Sequence, residues 1–154
     1  MLETRTATTA DAALIASHRR AMFAALRGYD DSALDAVQRS SEPWTARMIS
    51  QGKYLGWIFL NDQKPIASAG LMILDWPPHP LDPAGESRAY VLNVFVEPDY
   101  RRRGLARELL RLCLAEARRR NLRVVSLHAS SEGRLLYESL GFRGTNEMLL
   151  TEAG

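Results

Sequence analysis

The run Val94-Phe95-Val96-Glu97-Pro98-Asp99-Tyr100-Arg101-Arg102-Arg103-Gly104-Leu105-Ala106 constrains the chain more than any other. An apolar strand passes through a proline turn into an Arg-x-x-Gly-x-Ala loop that opens a helix. Backbone N–H groups left without partners at a helix start point outward, and the helix dipole adds partial positive charge there. Small residues at 104 and 106 let an anion approach the main chain. This is the build of a pyrophosphate cradle, in which bare backbone matters more than side chains. Arg101, Arg102 and Arg103 also fit an ordinary solvated turn, so the loop needs a second motif before it carries a function.

Other phosphate loops fit poorly. No Gly-Lys-Ser/Thr follows, which excludes a Walker-type loop. A dinucleotide fingerprint needs more glycines before the helix and an acidic residue ending the next strand, whereas Val124 to Ala129 runs into His-Ala-Ser.

The remaining chain sets bounds on class. At 154 residues and 46% hydrophobic, one domain spanning 1–154 with a real core is expected. Met1-Leu2-Glu3-Thr4-Arg5 has no apolar run behind a basic head, and no segment approaches the ~20 apolar residues of a membrane span. A cytoplasmic protein without membrane association is expected. Net charge is +2, and every basic residue except Lys53 and Lys64 is arginine, but the aromatics are not interleaved with the Arg clusters. That argues against nucleic acid as a partner. Cys113, the single cysteine, lies among Leu109, Leu110, Leu112 and Leu114, so it reads as a buried small hydrophobe. His18, His79 and His128 lack metal-ligand spacing, and no metal is expected.

Along the chain, Leu2 to Thr6 reads as a strand and Thr8-Thr9-Ala10-Asp11 as a capping box. The helix behind it carries Leu14, Ile15, His18, Met22, Phe23 and Leu26 at helical spacing and stops at Gly28. Ser41-Glu42-Pro43-Trp44 predicts a second, shorter helix that ends before Gly52. Tyr54 to Leu60 and Pro65 to Leu74 flank the turn Asn61-Asp62-Gln63-Lys64 as a hairpin, and the proline-rich segment 75–86 is a loop. Ala89 to Val96 is a central strand, followed by the cradle, a helix from about Gly104 to Arg120, and a strand from Val124 to Ala129. A short helix at Ser131 to Leu140 and a last strand at Met148 to Thr151 complete an α/β layer with a mixed sheet.

The second motif is Ser130-Ser131-Glu132-Gly133-Arg134-Leu135-Leu136-Tyr137-Glu138-Ser139-Leu140-Gly141-Phe142, where Tyr137 shares a helix with Leu136 and Leu140 and Gly141 permits a left-handed cap. Together the two motifs resemble the GCN5-related N-acetyltransferase (GNAT) superfamily. Its acyl-CoA loop reads Gln/Arg-x-x-Gly-x-Gly/Ala, and its last helix ends in Leu-Tyr-x-x-Leu-Gly-Phe. The resemblance implies a mostly antiparallel central sheet, splayed at the cofactor site and flanked by about four helices. It implies acetyl-CoA bound by Val94, Phe95, Val96, Arg101, Arg102, Arg103, Gly104, Leu105, Ala106, Ser130 and Tyr137. Ser130 stands where many relatives carry an asparagine.

The activity so implied is acetyl transfer to the primary amine of a small molecule or peptide by direct attack in a ternary complex. Tyr137 would serve as general acid to the departing thiolate, a task that suits a phenol of ordinary pKa ~10 against a thiol of ~8.5. An amphipathic tyrosine that merely packs its helix is the plain alternative. Where some relatives carry a catalytic carboxylate early in the central strand, this chain has Tyr90. Glu86, Asp75, Glu97 and His128 are then the candidate bases, and a base-free route through proximity stays open. Without that carboxylate, a noncatalytic acyl-CoA-binding sensor is the alternative function.

Asn93 fits either a substrate contact or a strand bulge. Tyr29, Trp44 and Trp76, with Met22, Phe23 and the acidic Asp75, Asp82 and Glu86, are the candidate acceptor contacts, a set suited to a cationic amine. Relatives of this kind are often dimers, so a homodimer is compatible with the sequence.

Overall fold

The sheet grows from the hairpin between β2 (Tyr54–Asn61) and β3 (Lys64–Asp75). Asp62 and Gln63 close it with φ of 49° and 67°, the doubly left-handed turn whose twist matches two antiparallel strands. β1 (Leu2–Thr6) adds antiparallel to β2, and β4 (Ser87–Val96) adds antiparallel to β3. β5 (Val125–Ser126) lies parallel to β4, giving the order β1-β2-β3-β4-β5. This computed structural model describes residues 1–152.

Four helices cover the sheet: α1 (Ala12–Ala24), α2 (Asp31–Ser50), α3 (Leu105–Arg119) and α4 (Arg134–Ser139). Successive residues of β3 show how they divide. Ala67, Ala69 and Leu71 join the core built with Leu105, Leu109, Leu110 and Cys113 of α3. Ser68, between them, bonds His18 of α1 on the opposite face. Leu109, Leu110 and Cys113 are fully buried, and each such leucine contributes roughly 1.5–3 kcal/mol of burial. Arg5 grips Asp11 through two bonds of 2.8 and 2.7 Å, tying β1 to the start of α1, while the Thr8 N–H donates to the same carboxylate at 2.8 Å.

Three elements differ from the sequence reading. The second helix begins at Asp31, ten residues before the expected Ser41, because the Asp30 carboxylate accepts from the Ala33 N–H at 2.8 Å and caps it there. Pro43 therefore sits inside the helix, where it removes one backbone bond that the buried face of Leu34, Ser41 and Thr45 offsets. The strand expected over Val124 to Ala129 pairs only at Val125 and Ser126. The last strand expected at Met148 to Thr151 does not form, and Met148, Leu149 and Leu150 are 93%, 85% and 93% exposed. A two-residue β5 offers no ladder long enough to receive it.

The bulge in β4 explains the short β5. Gly70 pairs with Leu92 and Ser68 with Phe95, so β4 holds one residue more than β3 across this interval, and Asn93 takes φ 55°. A bulge bends its strand and reverses the alternation of side chains. Ala89 and Val91 face α3 before it, and Val94 and Val96 face α3 after it, while Asn93 and Phe95 turn toward α1. β4 and β5 pair at Ala89–Val125 and Tyr90–Ser126 and then part.

Candidate active site

The parting of β4 from β5 leaves a gap beside the α3 face. The Glu97 N–H bonds the Ile66 carbonyl on β3 at 2.8 Å. By strand alternation, the main-chain groups of Val94 and Val96 point the other way, into that gap. The Val96 carbonyl there accepts from Arg101 Nε at 3.0 Å. Phe95 sends its ring to the opposite face, 4.6 Å from the ring of His18.

At the end of β4, Pro98–Tyr100 forms a single 3-10 turn, and the chain enters α3 through two left-handed residues, Arg102 at φ 62° and Gly104 at φ 79°. A Cβ on Gly104 would meet nothing within 4 Å, so this glycine serves backbone conformation and open approach rather than packing. The first N–H groups of α3, from Leu105 through Arg107, have no partner within the helix. Leu105 is buried in the core and holds this end in place. Arg103 donates to the Asp99 carbonyl at 3.0 Å and lies over the Tyr100 ring, so with Arg101 it shapes the loop from within. Arg102 is exposed.

Tyr137 rises from α4 toward α3, packed against the core with Leu136 and Leu140 and edge-on to Phe142. Burial pushes its hydroxyl pKa up, so the phenol keeps its proton across neutral pH. A Cβ on Gly133 would stand 2.9 Å from the Tyr137 ring, so that glycine makes room for it. Ser130 accepts from the Gly133 N–H at 3.2 Å and starts this turn.

The other face of β4 is built from side chains. Tyr54, on β2 and 2% exposed, crosses over Gly70 of β3, where a Cβ would lie 2.2 Å from its oxygen. Its oxygen accepts from Asn93 Nδ2 at 3.2 Å, and Asn93 Oδ1 accepts from Arg19 of α1 at 2.8 Å. Arginine only donates, which orients the amide. Asn93 is thus the bulge residue itself, with both ends of its amide engaged.

Beside this chain a cavity of about 440 Å³ opens between α1, α2 and β4, lined by Arg19, Ala36, Val37, Ser40, Ser41, Trp44 and Leu92. Trp44 also meets Tyr54 edge-on at 6.3 Å. Tyr29 packs instead on Phe23, and Trp76 lies under Arg88 at 4.0 Å in the loop after β3. Asp75, Asp82 and Glu86 are absent from this cavity's wall; Trp76 and Asp82 line a separate small cleft with Arg88.

Of the candidate bases, Glu97 stands 4.0 Å from the buried His18. His128 is held between Tyr90 and Glu147: Nδ1 meets the Tyr90 hydroxyl, and Nε2 meets Glu147 Oε1 at 3.1 Å. Tyr90 and Leu92 share a face two residues apart, so this exposed group lies on the α1 side of the strand. Arg19, Tyr54 and Glu147 escaped the sequence reading. For Arg19 the available signal was a charge adjoining the apolar stripe of α1 at Ile15, His18 and Met22. Among the described residues no cluster of His, Cys, Asp and Glu could hold a metal ion, and no helix is long and apolar enough to cross a membrane.

Residues 18–142 match the model of the acetyltransferase (GNAT) family. Among solved structures, the chain is similar to a GCN5-related N-acetyltransferase from Ralstonia eutropha JMP134, with 36% identity over 100% of both chains and a TM-score of 0.94. It is also similar to a predicted acetyltransferase with acetyl-CoA from Clostridium acetobutylicum, with 25% identity over 99% of this chain and 96% of that one and a TM-score of 0.87. Glucosamine-6-phosphate N-acetyltransferase from Arabidopsis thaliana shares the fold at 15% identity, over 99% and 98% of the two chains, with a TM-score of 0.70. No curated protein matches the chain.

Proposed function

The chain belongs to the acetyltransferase (GNAT) family, and from that membership we propose that it transfers an acetyl group from acetyl-CoA to a primary amine by direct attack in a ternary complex. The observation that carries this reading is the gap between β4 and β5, bounded by main chain at Val94 and Val96, by the bare start of α3 and by Tyr137. In it the pantetheine arm would pair with the strand as an added edge, and the pyrophosphate would rest on the N–H groups at Gly104 to Ala106. The similar Clostridium acetobutylicum structure with acetyl-CoA supports that assignment.

In this reading the neutral amine attacks the thioester carbonyl from the α1 side. The C–N bond forms, and main-chain donors steady the oxyanion. The C–S bond then breaks, and the thiolate takes the proton of Tyr137, whose raised pKa keeps that proton available. The proton shed by the amine passes to His128, which Tyr90 and Glu147 orient. The domain so proposed spans 1–154 and works in the cytoplasm.

Thiol release from acetyl-CoA across amines, amino acids, aminosugars and peptides tests the reading. Acceptor-dependent release is expected, with Tyr137→Phe lowering kcat about 100-fold while acetyl-CoA Kd stays within about twofold. Equal turnover by the variant removes the general-acid role. Tight acetyl-CoA binding with no release for any acceptor favours the noncatalytic sensor.

A further inference from the structure

We propose that the acceptor amine also carries an anionic group, a carboxylate or a phosphate, which Arg19 receives in the cavity between α1, α2 and β4. The inference rests on the acetyltransferase reading and names the class of its second substrate.

Two adjacent arginines make the case. Arg20, itself partly buried, has carboxylate partners in Asp35 at 2.9 Å and Asp31 at 3.8 Å. Arg19, half-buried on the inner side of the same helix, forms no ion pair among the described residues. It donates to the neutral amide of Asn93 at 2.8 Å and lies 4.8 Å from the centre of the Phe23 ring. A guanidinium has five N–H donors and cannot shed its charge in a protein, so a partly desolvated one without a carboxylate is costly unless a ligand supplies the counter-charge.

The cavity fits that role in size and in lining. Its volume of about 440 Å³ holds a small molecule, and its wall contains no acidic side chain. Ala36, Val37, Trp44 and Leu92 give it an apolar surface that strengthens any ion pair formed inside, and Ser40 and Ser41 add hydroxyls. Asn93 and Phe23 fix the guanidinium before ligand arrives, which spares the ordering cost on binding. Burial works in the same direction, lowering the pKa of Arg19.

The test compares matched acceptors in the wild-type protein: an amino acid against its carboxamide, and a phosphorylated amine against its unphosphorylated form. The charged member should show kcat/KM about 10- to 100-fold higher in at least one pair, and which pair does so separates carboxylate from phosphate. Arg19→Gln should erase the difference with acetyl-CoA Kd unchanged, and Arg19→Lys should restore part of it. Should Arg19→Gln disturb the bulge, Val37→Glu, which brings a competing carboxylate into the cavity wall, should shrink the same advantage. Equal or better kcat/KM for the neutral members in the wild type overturns the inference and leaves the acetyltransferase reading standing. Absence of thiol release from every acceptor overturns that reading, and the inference with it.

Discussion

The two faces of β4 are built from different materials. On the α3 face, Val94 and Val96 present apolar side chains while their main-chain groups open into the gap, and a glycine turn bares the start of a helix. On the α1 face, Tyr54, Asn93 and Arg19 form a hydrogen-bonded line across three strands and a helix, beside a cavity that ends at Trp44. Recognition by backbone needs a few residues close together in sequence, because conformation and bareness are local properties. Recognition by side chains is assembled from segments far apart. One bulged residue, Asn93, joins the two by reversing the strand's alternation between them.

The largest effect should come from spoiling the backbone face. Gly104 sits at φ 79° with open space where a Cβ would go. Gly104→Glu therefore leaves the core untouched, costs about 1–2 kcal/mol of left-handed strain, and sets a carboxylate where the pyrophosphate would rest. Calorimetry should find acetyl-CoA Kd raised at least about 100-fold in a protein that still unfolds cooperatively. Unchanged affinity in the folded variant breaks the assignment of this face to the cofactor.

A smaller and opposite result is expected from the side-chain face. Asn93→Gly keeps the left-handed bulge, since glycine adopts it freely, but removes the bonds to Tyr54 and Arg19. The Tyr54 oxygen, 2% exposed, then lacks its donor, and stability should fall by about 2 kcal/mol in urea titrations. The acceptor KM should rise severalfold while acetyl-CoA Kd stays within about twofold. If both affinities fall together, the bulge couples the faces and the comparison fails.

The same contrast explains what the sequence disclosed. The loop that opens α3, the helix that carries Tyr137 and the hairpin were legible because each is a short run whose turn residues and periodicity act locally. The early start of α2 was missed because Asp30 as cap is one polar residue among several, outweighed in the pattern by Pro43. The unformed strand at Met148 to Thr151 has local strand character, but strands need partners, and the bend at Asn93 withholds one. Arg19 was illegible for a related reason. Nothing in its own stretch shows that β4 bends to offer it an amide and not a carboxylate.

The smallest predicted effect asks whether the two faces also differ in how they respond to acid. On the α3 side the buried Cys113 thiol is pushed up to about 12, so it does not titrate between pH 5 and 8. On the α1 side His18 is buried against Phe95 with Nδ1 on Ser68 at 2.7 Å, and burial pulls its pKa down to about 4 although Glu97 Oε1 lies 4.0 Å from Nε2. Desolvation wins because that carboxylate is partly exposed and at the limit of an ion pair. An unfolded histidine takes its proton near pH ~6.5, so below that pH the unfolded state binds more protons than the native one. Stability is then full above pH ~6.5 and is lost as pH falls toward 4, by about 1 kcal/mol between pH 7 and 5.5. His18→Gln, which keeps a partner for Ser68 but cannot titrate, should flatten this part of the urea-midpoint profile. An unchanged slope would assign the acid sensitivity to groups other than His18, and the side-chain face would then be no more responsive to protons than the backbone face across the strand.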